Sequence, residues 1–266
     1  MRVIEAQKRY LPILRIAIMK FAARTDKGKH RALNEDLYFV DERSNLFVVA
    51  DGVGGHNAGD VASRIAVAVF EEWVQEYGKS SNGSSGTNPT RKLEILKQLA
   101  EEANHRVYSH SLDDKSSNAG MGTTLIAGFI TQFQLIYVHV GDSRLYILRD
   151  GNISQITTDH SLVQKMVESG QLTSKEARIH PKRNIINRAI GFEPSVCVDY
   201  QVCPLRSKDI VFACTDGLHD MIVDDAEIAE LITNASDIDT ASRKLIEKSL
   251  YYGGKDNVTL VLTALS

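Results

Sequence analysis

The sequence is poor in cysteine, carries no excess of basic charge and contains no long apolar run. Its three cysteines, Cys197, Cys203 and Cys214, include no CxxC pair, so neither a disulfide framework nor a zinc site is indicated. A formal net charge of −3 gives no electrostatic reason to expect nucleic acid or a membrane as a partner. No stretch approaches the ~20 apolar residues that cross a bilayer. A reducing cytoplasm fits this composition best.

An apolar segment near the N-terminus, LPILRIAIM, follows three basic residues and superficially resembles a signal peptide. Arg15 interrupts this run, and apolar residues alternate on either side of it as they do in a β-strand. We therefore interpret residues 1–13 as an N-terminal extension and residues 14–266 as one domain. Its first strand is expected from roughly Leu14 to Ala23.

Aspartates stand at the ends of several apolar runs. The run Leu46–Ala50 ends at Asp51 and a glycine-rich turn, VADGVGGH, and similar runs lead to Asp142 and Asp216. Asp256 instead precedes the closing run VTLVLTAL. One Asp-Gly after a strand is usually only a turn, but four such carboxylates are hard to explain as unrelated turns. Hard divalent cations prefer these oxygens, and a bridged pair of cations activates water against phosphorus.

Two amphipathic helices are expected between the first and the later strands, joined by a polar loop over residues 78–90. Apolar residues recur on one face of the first helix, at Val61, Ile65, Val69, Trp73 and Tyr77. The second helix carries a similar face at Leu93, Leu96, Ala100, Ala103 and Val107.

The middle of the chain predicts an antiparallel meander rather than a doubly wound parallel sheet. Asp150-Gly151 is a strong signal for a hairpin turn between two of its strands. Residues 159–191 are interpreted as a small, mostly helical insertion in which Thr173 and Glu176 match a capping box. Two further strands, two helices and a closing strand follow.

Eight short motifs occur in a recognisable order along the chain. They are RALNED, VADGVGGHNAGDVAS, GTTL, GDSRLYIL, DHSLVQ, HPKRNIINRAIG, FACTDGLHD and GGKDNVTL. Their order and spacing resemble the metal-dependent protein phosphatases of type 2C, and the bacterial branch most. The resemblance covers about residues 15–264. It implies an α+β fold, a four-layer α/β/β/α sandwich of two antiparallel sheets flanked by helix pairs, with residues 159–191 as a small helical flap.

The resemblance also implies roles for individual residues. Asp51 would bridge two metal ions, with the carbonyl of Gly52 on one ion and Asp216 and Asp256 on the other. Asp142 would belong to a weaker third metal site near the flap. The remaining implied roles are orientation of waters by Glu35 and Asp36, support of the third site by Asp220, binding of the substrate phosphate by Arg31, and protonation of the leaving group by His56.

These roles imply a serine/threonine protein phosphatase with two Mn²⁺ or Mg²⁺ ions per active site and a weaker third. A water activated by the metals would hydrolyse phosphoserine and phosphothreonine without a phosphoenzyme. We expect a cytoplasmic monomer that acts on phosphorylated proteins and opposes a serine/threonine kinase. His219 departs from the family pattern, and its position motivates the hypothesis that it alters the ion preference of the third site.

Two other functions stay open at this point. A magnesium-dependent phosphatase with an aspartyl nucleophile needs a second carboxylate two residues later, where Val53 and Leu218 stand instead. A phosphatase-like binding module without catalysis would be expected to lack a metal aspartate, whereas Asp51, Asp216 and Asp256 are all present.

Overall fold

Strands of two antiparallel sheets form the centre of the molecule. The computed structural model describes residues 19–54, 58–77, 88–113, 120–131 and 133–265. In these residues the strands are β1 (Met19–Asp26), β2 (Asp36–Asp41), β3 (Leu46–Val53), β4 (Gly122–Thr123), β5 (Leu125–Ile130), β6 (Gln134–Val140), β7 (Arg144–Arg149), β8 (Asn152–Gln155), β9 (Asp199–Pro204), β10 (Ile210–Cys214) and β11 (Val258–Leu265). One sheet has the order β1-β11-β10-β7-β8, and the other has the order β2-β3-β5-β6-β9 with β4 paired to β3.

Helices cover the outer face of each sheet. They are α1 (Ala58–Tyr77), α2 (Pro89–Asp113), α3 (Leu162–Glu168), α4 (Ser174–Ile179), α5 (Asp216–His219), α6 (Asp225–Thr233) and α7 (Ile238–Tyr251). α1 and α2 pack on the β2-β3-β5-β6-β9 sheet, and α6 and α7 pack on the other. A third apolar cluster, which includes Phe47, Ile126 and Val261, fills the space between the sheets. The predicted four-layer sandwich is therefore confirmed.

The chain passes from one sheet to the other next to several candidate site residues. β6 and β7 are consecutive but belong to different sheets, so the predicted meander is interrupted at Gly141–Ser143. The connection from β1 to β2, residues 27–35, makes the same crossing. Asp142 and Arg31 lie in these two connections. These connections run between the two sheets, so the residues they carry lie next to strand ends of both.

The predicted buried face of α1 was wrong in detail. Val69 is buried, but Val61, Ile65 and Trp73 are only half-buried and Tyr77 is 57% exposed. Positions repeated every four residues advance by 400° in a helix of 100° per residue, so Tyr77 is rotated by about 160° from Val61. The fully buried positions instead include Ala62, Ala66 and Phe70.

Several local predictions are confirmed. Leu96, Ala100, Ala103 and Val107 of α2 are fully buried. Asp150 and Gly151 have φ angles of 50° and 77°, which is the backbone of a tight hairpin turn. Thr173 and Glu176 form the predicted capping box at the start of α4.

Other predictions concern residues that the structure does not describe, or differ from what it shows. The N-terminal extension, the start of the first strand and most of the loop at 78–90 lie outside the described residues. Residues 159–191 contain only the short helices α3 and α4 between turns, so this segment is less helical than expected. In the part of the chain that is described, no helix is long and apolar enough to cross a membrane.

Candidate metal and phosphate site

Asp51 lies at the edge where the two sheets meet, on a backbone held from both sides. It faces Asp36 across the β2–β3 pair. Its backbone N–H donates to Thr124 Oγ1 at 2.9 Å, and its carbonyl accepts from the backbone N–H of Thr124 at 2.8 Å. β3 continues through Val53, so the strand extends two residues beyond Asp51, where it was predicted to end. Pairing on both sides fixes where the Asp51 carboxyl points.

Asp216 comes from the other sheet, at the first residue of the one-turn helix α5. The preceding Thr215 donates its hydroxyl to Asp36 Oδ2 at 2.8 Å, which ties the end of β10 to the start of β2. Gly217 lies against the backbone of Asn257, and an added Cβ would approach the Asn257 carbonyl oxygen to 1.8 Å. The close approach therefore requires glycine, and it brings the segments of Asp216 and Asp256 together.

Asn257 organises the third segment of the site. Its side-chain oxygen accepts from the backbone N–H of Glu35 at 2.8 Å, and its amide donates to the carbonyls of Lys27 and Leu33 at 2.8 and 2.9 Å. The connection that carries Arg31 is thereby held against β11. Sequence analysis did not identify Asn257 as a site residue, although the GGKDN motif contains it.

Arg31 contacts Asp256 directly. Its Nη2 lies 2.6 Å from Asp256 Oδ2, and the Arg31 side chain is 49% exposed. The other guanidinium nitrogens make no hydrogen bond to a described residue. Arg31 is therefore positioned at the rim of the carboxylate cluster, with donors directed away from Asp256.

Glu35 is directed to the start of α1 rather than to a basic side chain. Its carboxylate oxygen Oε1 lies beside Gly59, and the backbone N–H groups of Gly59 and Asp60 act to lower its pKa. Burial is the main cause of its raised pKa, with Arg31 opposing the rise. Gly52 and Gly59 are in close contact, since a Cβ on Gly52 would lie 2.2 Å from the Gly59 carbonyl oxygen.

The carboxyl groups of the site repel one another. Burial and then the charges of Asp36, Asp216, Asp142 and Asp256 raise the pKa of Asp51 well above its ordinary value. Burial is also the main cause that raises the pKa of Asp36 and of Asp142 to about 7. Among the described residues, no basic side chain forms an ion pair with Asp51, Asp142 or Asp216. The structure thus brings these predicted residues together without a protein cation to neutralise them.

Comparison with known proteins bears on this arrangement. The model of the protein phosphatase 2C family matches residues 27–250. This chain belongs to that family. A serine/threonine phosphatase, stp, of Listeria innocua is 35% identical over 243 residues, which are 90% of this chain and 93% of that protein.

Solved structures of type 2C relatives share the fold. The serine/threonine phosphatase PstP/Ppp of Mycobacterium tuberculosis superposes with a TM-score of 0.82 at 35% identity, over 93% of this chain and 99% of that one. A structure of the PstP catalytic domain in complex with two manganese ions gives a TM-score of 0.80 at 33% identity, over 93% and 98% of the two chains.

A second group of residues surrounds Asp142 in this type 2C chain. His219 is buried, and its Nε2 lies 3.2 Å from the carbonyl oxygen of Asp142, so Nε2 is the nitrogen that donates. His219 Nδ1 is 3.6 Å from Asp220 Oδ1, while Asp220 Oδ2 accepts from Arg183 Nε at 3.2 Å. The predicted proximity of His219 to Asp142 is therefore present, whereas its effect on ion preference stays a prediction.

A cleft of about 260 Å³ opens between this group and the segment that follows β8. Its lining includes Asp142, Asp216 and His219 on one side and Val163, Ala177 and Arg183 on the other. The cleft connects the carboxylate cluster of the type 2C chain to residues 159–191.

His56 lies outside the described residues, so its predicted role is untested. No three His, Cys, Asp or Glu side chains of the described residues form a closed cage for one ion.

Proposed function

We propose that this chain hydrolyses phosphoserine and phosphothreonine in proteins, with two Mn²⁺ or Mg²⁺ ions and without a phosphoenzyme. The carboxylate cluster is the observation that carries the proposal: Asp51, Asp142 and Asp216 converge at the junction of the two sheets, and none of the three forms an ion pair with a basic side chain of the described residues. Such acids stay ionised only if a positive charge from outside neutralises them. Membership of the protein phosphatase 2C family and the names of the relatives agree with this chemistry.

The residues present fit hard divalent cations. Asp51, Asp216, Asp256 and the carbonyl of Gly52 would hold the two ions, and Asp142 with Asp220 would contribute to a weaker third site. All of these offer oxygen, which Mn²⁺ and Mg²⁺ prefer. Asp36 has one buried carboxyl oxygen without a hydrogen bond, which also suits a site completed by a ligand. When bound, such ions lower the pKa of a water and so supply hydroxide near neutral pH.

The chain's own groups would position the substrate and move the protons. Arg31 holds its guanidinium at the rim, where two parallel N–H groups match two phosphate oxygens. Glu35 and Asp36 would accept hydrogen bonds from water and orient it for attack in line with the leaving oxygen. His56 would donate a proton to the serine or threonine oxygen as the bond to phosphorus breaks.

The proposal extends to the setting of the enzyme. We infer a cytoplasmic monomer, in which residues 14–266 form one catalytic domain with 159–191 as its flap, and an opposing serine/threonine kinase. The composition of the chain supports the location, because the three cysteines are free and two of them, Cys203 and Cys214, are buried. The relatives named as serine/threonine phosphatases support the substrate class.

Release of phosphate from a phosphothreonine peptide tests the function. We expect turnover with Mn²⁺, and loss of at least ~100-fold either in EDTA or in Asp216→Asn with Mn²⁺, since each removes metal-dependent stabilisation of several kcal/mol. Asp209→Asn is a matched control, because this buried aspartate lies at the other end of β10 and pairs with Arg149. Turnover that survives both EDTA and Asp216→Asn would refute the mechanism. Binding of Mn²⁺ without any turnover would favour the non-catalytic binding module.

A further inference from the structure

Two loops beside Arg31 are locked together. The backbone N–H of Lys29 donates to the carbonyl of Gly254 at 2.8 Å, and Asn257 holds the carbonyl of Lys27 from the same side. Gly28 has φ +75°, and a Cβ there would lie 2.2 Å from the carbonyl oxygen of Asp256. The loop before β2 and the loop before β11 therefore present their side chains as one surface.

This surface carries two lysines without a carboxylate partner. Lys29 and Lys255 are exposed, and neither forms an ion pair with a described residue. Their side chains border the same turn: a methyl group on Gly254 would lie 3.3 Å from Lys29 Cγ, and one on Gly253 would lie 3.7 Å from Lys255 Cγ. Nearby Lys248, in contrast, pairs with Glu227 at 2.7 Å.

The two lysines lie next to residues of the candidate metal and phosphate site. Lys29 is two residues from Arg31, and Lys255 immediately precedes Asp256, to which Arg31 is bound. We name Lys29, Arg31 and Lys255 the basic rim. Arg31 is paired with Asp256, whereas Lys29 and Lys255 add two positive charges that form no ion pair with a described residue.

We propose that the basic rim binds a second anionic group of the substrate polypeptide, either an acidic side chain or another phosphate, close to the phosphorylated residue. This proposal rests on the proposed function, because it assumes that Arg31 binds the phosphate group that is hydrolysed. An extended chain advances about 3.3 Å per residue, so lysines next to Arg31 reach roughly two or three residues from the phosphorylated one. Positive charges that face an anion in solvent also steer its approach.

Matched phosphothreonine peptides test the basic rim. One peptide has neutral flanks, one carries aspartates within three residues of the phosphothreonine, and one carries a phosphoserine there instead. We expect the wild type to show a lower KM for both anionic peptides, with a preference that weakens as salt rises. Comparison of the aspartate peptide with the phosphoserine peptide decides which anion is favoured.

Charge reversal then assigns the preference to residues. Lys29→Glu and Lys255→Glu are each expected to raise KM for the anionic peptides about two- to fivefold relative to the neutral peptide, and the double variant roughly tenfold or more. Arg43→Glu is the control, because it makes the same charge change in the turn at the far end of the β2–β3 hairpin. Hydrolysis of a small aryl phosphate, which is too short to reach the lysines, serves as the reference for folding of each variant.

The outcomes separate this proposal from the proposed function. Equal KM changes for neutral and anionic peptides, or equal effects of Arg43→Glu and Lys29→Glu, would overturn the basic rim. A wild type that hydrolyses no phosphopeptide would overturn the proposed function alone. In that case fluorescence anisotropy of the same peptides in EDTA still tests the basic rim. The wild type should bind the anionic peptides more tightly than the neutral one, and this difference should disappear in the double lysine variant.

Discussion

Two buried groups of charges in this molecule behave in opposite ways. Asp51 and Asp216 form no ion pair with a basic side chain of the described residues, and burial, followed by the charges of neighbouring carboxylates, raises the pKa of both. Asp159 accepts hydrogen bonds from Arg144 Nε at 3.0 Å and from Arg144 Nη2 at 2.7 Å. The pKa of Asp159 is therefore lowered, although burial alone would raise it. Similar burial therefore gives opposite titration, and the difference is whether the protein itself supplies the cation.

The two groups differ in whether the protein supplies a neutralising charge. The Arg144–Asp159 pair, with side chains 16% and 12% exposed, is complete and joins β7 to the start of residues 159–191. Under the proposed function, a bound cation would supply the positive charge that Asp51, Asp142 and Asp216 do not receive from the described side chains.

The largest expected change in stability comes from breaking the complete pair. Arg144→Met leaves Asp159 buried without its cation and should lower the free energy of unfolding by about 3–5 kcal/mol. Urea unfolding measures this change. The double variant Arg144→Met, Asp159→Leu should recover much of the loss, because it leaves no buried charge. A single variant as stable as the wild type would contradict this account of the pair.

Asp51→Asn should act in the opposite sense in the incomplete group. In EDTA we expect an unfolding free energy equal to or above that of the wild type, since one repulsive charge is gone. At a Mn²⁺ concentration of ~100 Kd the wild type gains about 2.7 kcal/mol, and the variant should lose most of this gain. Thermal melts with and without Mn²⁺ measure both effects, with Asp209→Asn as the control that keeps the response. A variant with the full Mn²⁺ response would remove Asp51 from the site.

Stability against pH should separate the two groups by the sign of the change. Asp36 and Asp142 have pKa values raised to about 7, so between about pH 4 and 7 the folded state binds more protons than the unfolded state. Their contribution to stability in EDTA therefore falls as pH rises through this window. Asp159, whose pKa is lowered, contributes stability above about pH 4 and loses it below.

Unfolding at pH 5 and pH 7.5, in EDTA and in saturating Mn²⁺, tests this sign. The wild type should lose more stability than Asp142→Asn between the two pH values in EDTA, and Mn²⁺ should abolish the difference. Parallel pH dependence of the two proteins in EDTA would be inconsistent with the raised pKa of Asp142.

The smallest effect is expected where a pair is fully accessible to water. Arg243 and Glu247 are 52% and 60% exposed and lie 3.1 Å apart on α7. Arg243→Ala should change the unfolding free energy by about 0.5 kcal/mol or less, because solvent screens both charges. A loss as large as that of Arg144→Met would show that burial is not what distinguishes the pairs.

Local features were predicted well because they depend on neighbours along the chain. The turn at Asp150-Gly151 and the capping box at Thr173 and Glu176 each use backbone and side chains within a few residues. The buried face of α2 followed from its period. The face of α1 did not, since a spacing of four residues drifts around a helix and only the position of the sheet decides which side is covered.

The acidic residues of the candidate site were predicted from the sequence, but the residues that hold them in place were not. The acidic residues that the structure brings together at the edge, including Asp36, Asp51, Asp142 and Asp216, were all identified from motifs. The groups that hold them were not: Thr124 on the backbone of Asp51, Thr215 on Asp36, and Asn257 on the Arg31 loop. Hydroxyl and amide side chains are common throughout a sequence, and nothing local distinguishes those that support a site.

The sequence by itself determined the elements, the family resemblance and the identity of the acidic residues, because strand and helix patterns and motif spacing are properties of the linear chain. Only the tertiary structure decided that Arg31 lies against Asp256, that Asp142 lies beside His219, and that Asp159 has a cation while Asp51 has none. Those facts depend on how the chain folds back on itself, because Arg31 and Asp256 are 225 positions apart and Asp142 and His219 are 77 positions apart.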